Sequence, residues 1–195
     1  DEVRAQIEEL LAPPIRPITI GQGAKALAIG DEEVMYRHEK TFFHQPGIGC
    51  LISDTEDAKE QERKIKAVKE MQFLWIGRML KADLAVLQCA SGDKGKFSAL
   101  VKRAAEMGDG IPMVLMAEGI DLLLAGLEAC GKDKKPLLYA VTEQNIDEAI
   151  GKLAGFEVPV AVKADSLEKI AALTERLKEA GLQDLVLDPG SRTQW

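Results

Sequence analysis

Short apolar runs alternate with longer amphipathic stretches along most of the chain. The apolar runs cover residues 48–53, 84–89, 112–116, 136–140, 159–163 and 185–187. Each run is continuous rather than alternately apolar and polar, which is typical of parallel strands buried on both faces. The stretches between them, 55–71, 94–107, 119–129, 143–154 and 166–180, have helical periodicity. The pattern therefore predicts six strands separated by helices, with a repeat of about 25 residues that suits βα units.

The residues before the first of these βα units follow a different pattern. Residues 1–11 predict a short helix that ends before Pro13 and Pro14. Two short apolar runs within residues 17–30 flank Gly21-Gln22-Gly23, a pattern that predicts a β-hairpin with a glycine turn.

Two architectures fit alternating parallel strands and helices: an open doubly wound sheet and a (β/α)8 barrel. Asp54 and Thr55 follow the first strand, where a dinucleotide-binding sheet would need glycines. We therefore expect an α/β fold with a parallel (β/α)8 TIM-type barrel, incomplete here at about six βα units. The chain begins with Asp and ends soon after a strand, so we expect a piece of a longer polypeptide.

Composition excludes several classes of function. The 195 residues include 32 acidic and 25 basic side chains, and the net charge of −7 argues against binding of nucleic acid. No apolar run approaches the roughly 18 residues of a membrane span. The three cysteines are far apart, and the sequence contains no C-x-x-C pair and only two histidines. We expect buried thiols in a reducing cytoplasm, with no metal site in this chain.

Polar residues follow every predicted strand, and the carboxyl ends of barrel strands are where chemistry collects. These positions are Asp54, 91–93, Glu118, 142–145, Asp165 and Asp188. Asp and Ser are also frequent helix caps, and Thr55 and Ser166 lie where caps are expected. Each position alone is therefore consistent with a cap or a turn.

Asp188-Pro189-Gly190 is the most specific of these motifs, because Pro and Gly force a tight turn directly after a buried strand. Its carboxylate either ends the strand or accepts hydrogen bonds from a ligand ring. Pterin-binding barrels, such as dihydropteroate synthase and methyltetrahydrofolate methyltransferases, carry a similar Asp-Pro-Gly. We take Asn145 and Asp188 as candidate ligand-binding residues at the barrel mouth, and we assign no catalytic residue.

Residues 34–44 mix charged and aromatic side chains ahead of the first barrel strand. Arg37, Glu39 and Lys40 could form a catalytic set or an ion-pair network. Aromatic residues and Arg are enriched at protein interfaces. We therefore predict that this segment docks a partner, through Tyr36, Arg37, His38, Phe42 and Phe43.

Four stretches together resemble one family, the barrel domain of the large (gamma) subunit of corrinoid iron–sulfur proteins from acetyl-CoA decarbonylase/synthase complexes. They are residues 12–15, 29–43, 135–142 and 184–192, and they occur in the family's order. The resemblance implies an N-terminal domain with a 4Fe-4S cluster, the barrel, and a C-terminal domain that binds a corrinoid (cobamide). Residues 1–16 would be the linker from the cluster domain, and residues 17–195 a C-terminally truncated barrel without the cobamide domain.

The resemblance also implies partners and a role. These partners are a small barrel subunit, which completes a heterodimer, a pterin methyltransferase, and acetyl-CoA synthase/CO dehydrogenase. The cobalt would carry a methyl group from a methyl-tetrahydropterin to acetyl-CoA synthase. This chain would then be a scaffold that holds neither cofactor. The alternatives are a pterin-binding methyltransferase barrel related to dihydropteroate synthase, and a barrel used only for oligomerisation.

Overall fold

The structure, a computed structural model, describes residues 17–30 and 46–190. The helix predicted at residues 1–11 and the interface segment at residues 34–44 lie outside these ranges.

A β-hairpin precedes the main sheet, as the glycine turn predicts. Strand β1 (Ile18–Ile20) pairs antiparallel with β2 (Leu27–Ile29). Gly21 has a positive φ of 86° and lies so close to the Pro112 ring that a Cβ would come within 3.1 Å of it. The amide of Gly21 also donates to the carbonyl of Lys135 at 2.9 Å. Pro112 and Lys135 precede strands of the main sheet, so the hairpin covers the amino end of that sheet.

The remaining strands include all six that the apolar runs predict. They are β3 (Gly49–Ser53), β4 (Gln72–Trp75), β5 (Arg78–Lys81), β6 (Leu84–Gln88), β7 (Met113–Met116), β8 (Leu137–Val141), β9 (Val160–Lys163) and β10 (Leu185–Asp188). The helices are α1 (Ala58–Glu70), α2 (Lys94–Met107), α3 (Ile120–Cys130), α4 (Ile146–Leu153) and α5 (Leu167–Glu179).

The main sheet is entirely parallel, with the strand order β10-β9-β8-β7-β6-β3. Each strand therefore pairs with the next strand of the sheet along the chain. A doubly wound sheet reverses direction beside its first strand, so that alternative is wrong. The order is compatible with a partial barrel, because right-handed crossovers in one direction place every helix on the same face. The six described strands do not close into a complete barrel.

The two faces of the sheet bury separate apolar clusters. The helix side is the larger cluster, and Phe97, Leu115 and Leu138 are fully buried there. The opposite side carries the smaller cluster, built from Ile20, Leu84, Val114, Leu137, Ala140 and Ala161. Since Ile20 belongs to β1, the N-terminal hairpin covers the amino end of this cluster. The polar residues that follow the strands lie at the carboxyl end of the sheet.

Side chains cap three of the five helices. Asp57, Asp93 and Ser166 each accept a hydrogen bond from the backbone amide three residues further on, at 2.9, 3.0 and 3.3 Å. Ser166 was expected to cap, but the expectation for Thr55 is wrong. The amide of Thr55 instead donates to the Ser53 hydroxyl, so the chain makes a turn first and the helix begins after Asp57.

The hairpin formed by β4 and β5 is an element that the apolar pattern did not predict. The two strands pair antiparallel, with Phe73 opposite Leu80 and Trp75 opposite Arg78. Its apolar residues resemble those of a buried strand, but most of them are exposed. Within the ranges described, no helix is long and apolar enough to cross a membrane.

Candidate functional site at the carboxyl end of the sheet

The loops after the strands surround an open cleft of about 1530 Å³ at the carboxyl end of the sheet. The cleft is wider than ordinary small-molecule pockets, which hold roughly 300–1,000 Å³. Its walls come from five successive strand ends, and the lining includes Cys89, Ser91, Met116, Glu118, Tyr139, Asn145, Lys163, Asp165 and Gly190. Most of the polar residues predicted to follow the strands therefore line one cleft, whereas Asp54, Asp93 and Asp188 are not among its lining residues.

Asp188 ends β10 and is held by groups of the protein itself. Its Oδ2 accepts a hydrogen bond from the Tyr139 hydroxyl at 2.5 Å, and its Oδ1 accepts one from the Gly190 amide at 2.8 Å. Its carbonyl accepts from the amide of Ala164, which follows β9. The Asp-Pro-Gly turn thus joins β10 to the two preceding strands, and Pro189 and Gly190 face the cleft.

Asn145 lies at the start of α4 and is only 9% exposed. Its Oδ1 accepts from the Thr142 amide at 2.8 Å. Its Nδ2 donates to the carbonyls of Ala140 and Glu118, at 3.1 and 3.2 Å. Both amide hydrogens are therefore used within the protein. Asn145 closes the loop after β8 and links it to the loop after β7.

The two candidate residues meet at the end of β8. Asp188 bonds to Tyr139 and Asn145 bonds to Ala140, the next residue along that strand. The pairing with β9 is irregular at this point, since the register shifts between Tyr139 and Val141. Tyr139, the residue that anchors Asp188, was not singled out from the sequence. An isolated Tyr in an apolar strand carries no signal of that role.

Asp54 forms a second buried polar centre, at the end of β3. Its Oδ1 accepts from the amides of Ala90 and Ser91 at 2.9 Å each, and its Oδ2 accepts from the Ser91 hydroxyl at 2.5 Å. Burial raises the pKa of Asp54, but the hydrogen bonds from Ser91 and Ala90 together lower it below the ordinary value of 3.8. Asp54 is therefore an anion that holds the loop after β6.

Charged side chains surround the cleft. The Lys163 ammonium lies 5.7 Å from the centre of the Tyr139 ring, a cation–π distance. Lys169 bridges Glu143 at 3.0 Å and Asp165 at 2.9 Å. Of these groups, Glu143, Lys163 and Asp165 line the cleft. Lys163 is the one Lys or Arg among the described lining residues, so it is the cation that a ligand of negative charge would meet there.

The cysteines and acids of the described residues form no group of three or more His, Cys, Asp or Glu side chains able to hold a metal ion. Cys50, Cys89 and Cys130 are free thiols. Burial raises the pKa of Cys130 to about 11; burial and the Asp54 charge raise the pKa of Cys89 to about 11. The described residues thus supply no ligand set for an iron–sulfur cluster.

Comparison with known proteins decides the family. A family model described as the CO dehydrogenase/acetyl-CoA synthase delta subunit matches residues 17–194. The chain belongs to this family. The resemblance found in residues 29–43, 135–142 and 184–192 is thereby confirmed at the level of the family.

Individual relatives carry the gamma or large-subunit name. The acetyl-CoA decarbonylase/synthase complex subunit gamma 2 of Methanosarcina thermophila is 41% identical over 189 residues, 96% of this chain and 40% of the relative. The gamma subunit of Archaeoglobus fulgidus is 36% identical over 191 residues, 96% of this chain and 40% of the relative. The corrinoid/iron-sulfur protein large subunit of Moorella thermoacetica is 32% identical over 192 residues, 98% of this chain and 43% of the relative.

The family model and the relatives name different subunits, delta in one case and gamma or large in the other. Identity along nearly the whole chain favours the gamma name for the part matched. The chain spans about 40% of the length of these relatives.

Proposed function

We propose that this chain is the barrel scaffold of a corrinoid iron–sulfur protein, which carries a methyl group from a methyl-tetrahydropterin to acetyl-CoA synthase. The six parallel strands would be part of an eight-stranded barrel. The names of the relatives support a corrinoid and an iron–sulfur cluster in the whole protein. The described residues do not fit a cluster, so we assign neither cofactor to them.

One observation carries the scaffold role: the two polar residues best placed to bind a ligand are occupied by the protein. Asn145 uses its Oδ1 and both amide hydrogens on backbone groups. Asp188 is held by Tyr139 and Gly190. A ligand ring that bonded to Asn145 would have to displace these bonds, at a cost of about 1–3 kcal/mol for each buried group left unpaired.

The partners proposed for this domain are the small barrel subunit, the pterin methyltransferase and acetyl-CoA synthase/CO dehydrogenase. Relatives named as subunits of a complex support assembly with other proteins. The net charge of −7 favours protein partners over nucleic acid. We place the complex in the cytoplasm, where the three free thiols would stay reduced.

A second candidate function is a barrel that binds the pterin itself. The observation that favours it is the open cleft beside the Asp188 turn, with Lys163 on its wall. A carboxylate has about four lone-pair sites, so Asp188 could still accept a bond from a ligand ring.

Calorimetric titration of tetrahydrofolate and tetrahydromethanopterin separates the two functions. If the chain is a scaffold, we expect no saturable binding at pterin concentrations below about 1 mM. A Kd of about 1 mM corresponds to a binding free energy of about −4 kcal/mol. Asp188→Asn tests the proposed pterin contact, and Asp165→Asn is the matched control at another exposed mouth position. Circular dichroism would verify that both variants are folded. Saturable binding that Asp188→Asn abolishes and Asp165→Asn retains would overturn the scaffold role and establish the second function.

A further inference from the structure

The hairpin of residues 72–81 exposes an unusual amount of apolar surface. It lies between α1 and β6, and its strands pair only with each other. The exposed large apolar residues on it and at its base are Met71, Phe73, Leu74, Trp75, Ile76 and Met79. Trp75 is 60% exposed and Ile76 is 87% exposed. Elsewhere among the described residues such side chains are exposed singly or in small groups, as at Leu167 and Leu187.

Both faces of this hairpin are apolar. Side chains alternate along a strand, so Leu74 and its partner Met79 lie on one face. Phe73, Trp75 and Leu80 lie on the other face. An ordinary surface hairpin has one apolar face packed on the core and one polar face in water. A hairpin with two exposed apolar faces needs an environment that contacts it from both sides.

The tip carries an apolar residue in a conformation that disfavours it. Ile76 has a φ of +47° and Gly77 a φ of +75°, as in a two-residue type I′ turn. Asn or Asp followed by Gly suits this turn, whereas a β-branched residue with positive φ is an outlier. Nothing in the described part of the chain packs on Ile76, so its side chain provides no stability there to offset the strain.

The charge of the hairpin is opposite to that of the chain. Residues 72–81 contain Arg78 and Lys81 and no acidic residue, within a chain of net charge −7. Lys81 lies 3.7 Å from Asp83 at the hairpin base, while Arg78 is next to the tip. A partner surface that covers the tip would therefore complement the charges of Arg78 and Lys81 if carboxylates surrounded the apolar part of that surface.

We propose that residues 72–81 form a docking hairpin that inserts into an apolar groove, rimmed by carboxylates, on another protein subunit of the complex. This rests on the proposed function, in which the chain assembles with other subunits. Six large apolar side chains are exposed together on and beside one ten-residue hairpin. Exposed apolar residues that are grouped in this way, unlike single ones, mark interaction sites.

The end of the hairpin is bonded to the residue just before β3. The Ile48 amide donates to the Asp83 carboxylate at 2.9 Å. The Asp83 amide returns a bond to the carbonyl of Ile48. Asp83 is two residues after Lys81, so the hairpin is joined to the start of the main sheet.

A second copy of this chain is a poorer occupant. In a two-fold dimer built on this hairpin, Arg78 and Lys81 of one copy would approach the same cations of the other. Like charges placed opposite one another cost free energy, whereas an acidic rim gains it. The groove partner is therefore a different chain.

The test uses the complete gamma-type subunit and, as probes in turn, the small subunit, the pterin methyltransferase and acetyl-CoA synthase/CO dehydrogenase, with each Kd measured by biolayer interferometry. Trp75→Ser combined with Ile76→Asn removes the apolar tip and installs a favourable Asn-Gly turn, so the hairpin should remain folded. Leu167→Ser is the matched control, because Leu167 is 71% exposed on α5. We expect the tip variant to weaken binding by at least about 30-fold, and the control to change it by less than about 2-fold.

Further arms separate the alternatives. Arg78→Glu should weaken binding at low salt and less at high salt, because the rim charges are screened. Unchanged binding of the tip variant would overturn the docking hairpin and leave the proposed function intact. Failure of the wild-type subunit to bind would overturn the docking proposal and the scaffold role together. Two other results would also overturn the docking proposal. If light scattering finds a homodimer that the tip variant disrupts, the occupant is a second copy of the chain. If the chain pellets with anionic vesicles, the occupant is a lipid surface.

Discussion

Replacing Asp54 with Ala should destabilise the chain, because this buried carboxylate holds the loop after β6. The side chain is 5% exposed and accepts three hydrogen bonds that join the end of β3 to the loop after β6. Bonds to a charged acceptor contribute about 1.5–3 kcal/mol each, and water entering the truncated site would replace some of them. We expect a loss of about 3 kcal/mol for Asp54→Ala. Asp54→Asn, which retains an oxygen for the two amides, should lose about 1 kcal/mol.

The effect should depend on pH in one direction. The pKa of Asp54 in the folded chain is lower than its ordinary value of 3.8, so its contribution to stability is fully present above about pH 3.8. The contribution is lost as the pH falls through the lower, folded pKa. The difference between wild type and Asp54→Ala should therefore be full at pH 7 and shrink below about pH 3.8.

Urea unfolding followed by far-ultraviolet circular dichroism measures this difference at each pH. Glu128→Ala, an exposed change on α3, is the control and should stay within about 0.5 kcal/mol of wild type. A loss below about 0.5 kcal/mol for Asp54→Ala at pH 7 would refute the assignment of Asp54 as the anionic clamp of this loop. A difference that grows on acidification would refute the sign of the linkage.

Two further predictions concern the helix side of the sheet and the thiols. Gly126→Ala should lower the free energy of unfolding by about 1–2 kcal/mol in the same urea assay. The added Cβ would lie 2.7 Å from Phe97 and 3.2 Å from Leu115. The cost of this overpacking exceeds the gain in helix propensity from Gly to Ala. The pKa values of Cys89 and Cys130 are raised to about 11. At pH 8 both thiols should therefore react with a disulfide reagent about 100-fold more slowly in the folded chain than in urea. Mass spectrometry of the labelled peptides measures the two rates, and equal rates would contradict the burial of these thiols.

Local patterning determined much of the fold from the sequence. The continuous apolar runs predicted all six strands of the main sheet, because parallel strands packed between helices and a second apolar cluster are mostly apolar on both faces. Gly21 to Gly23 predicted the first hairpin, since the turn needs a positive φ that glycine adopts without strain. The resemblance of residues 29–43 and 184–192 indicated the family, because order and identity along a chain are sequence properties.

Tertiary structure alone decided what the polar residues do. The sequence predicted that Asp188 and Asn145 follow strands, but only the fold reveals that Tyr139 and the carbonyls of Ala140 and Glu118 bind them. These partners are up to 49 residues away in the chain, so no local pattern encodes the contact. The hairpin of residues 72–81 was missed for a related reason. Its apolar residues resemble a core strand, and only the packing of the other elements leaves them exposed.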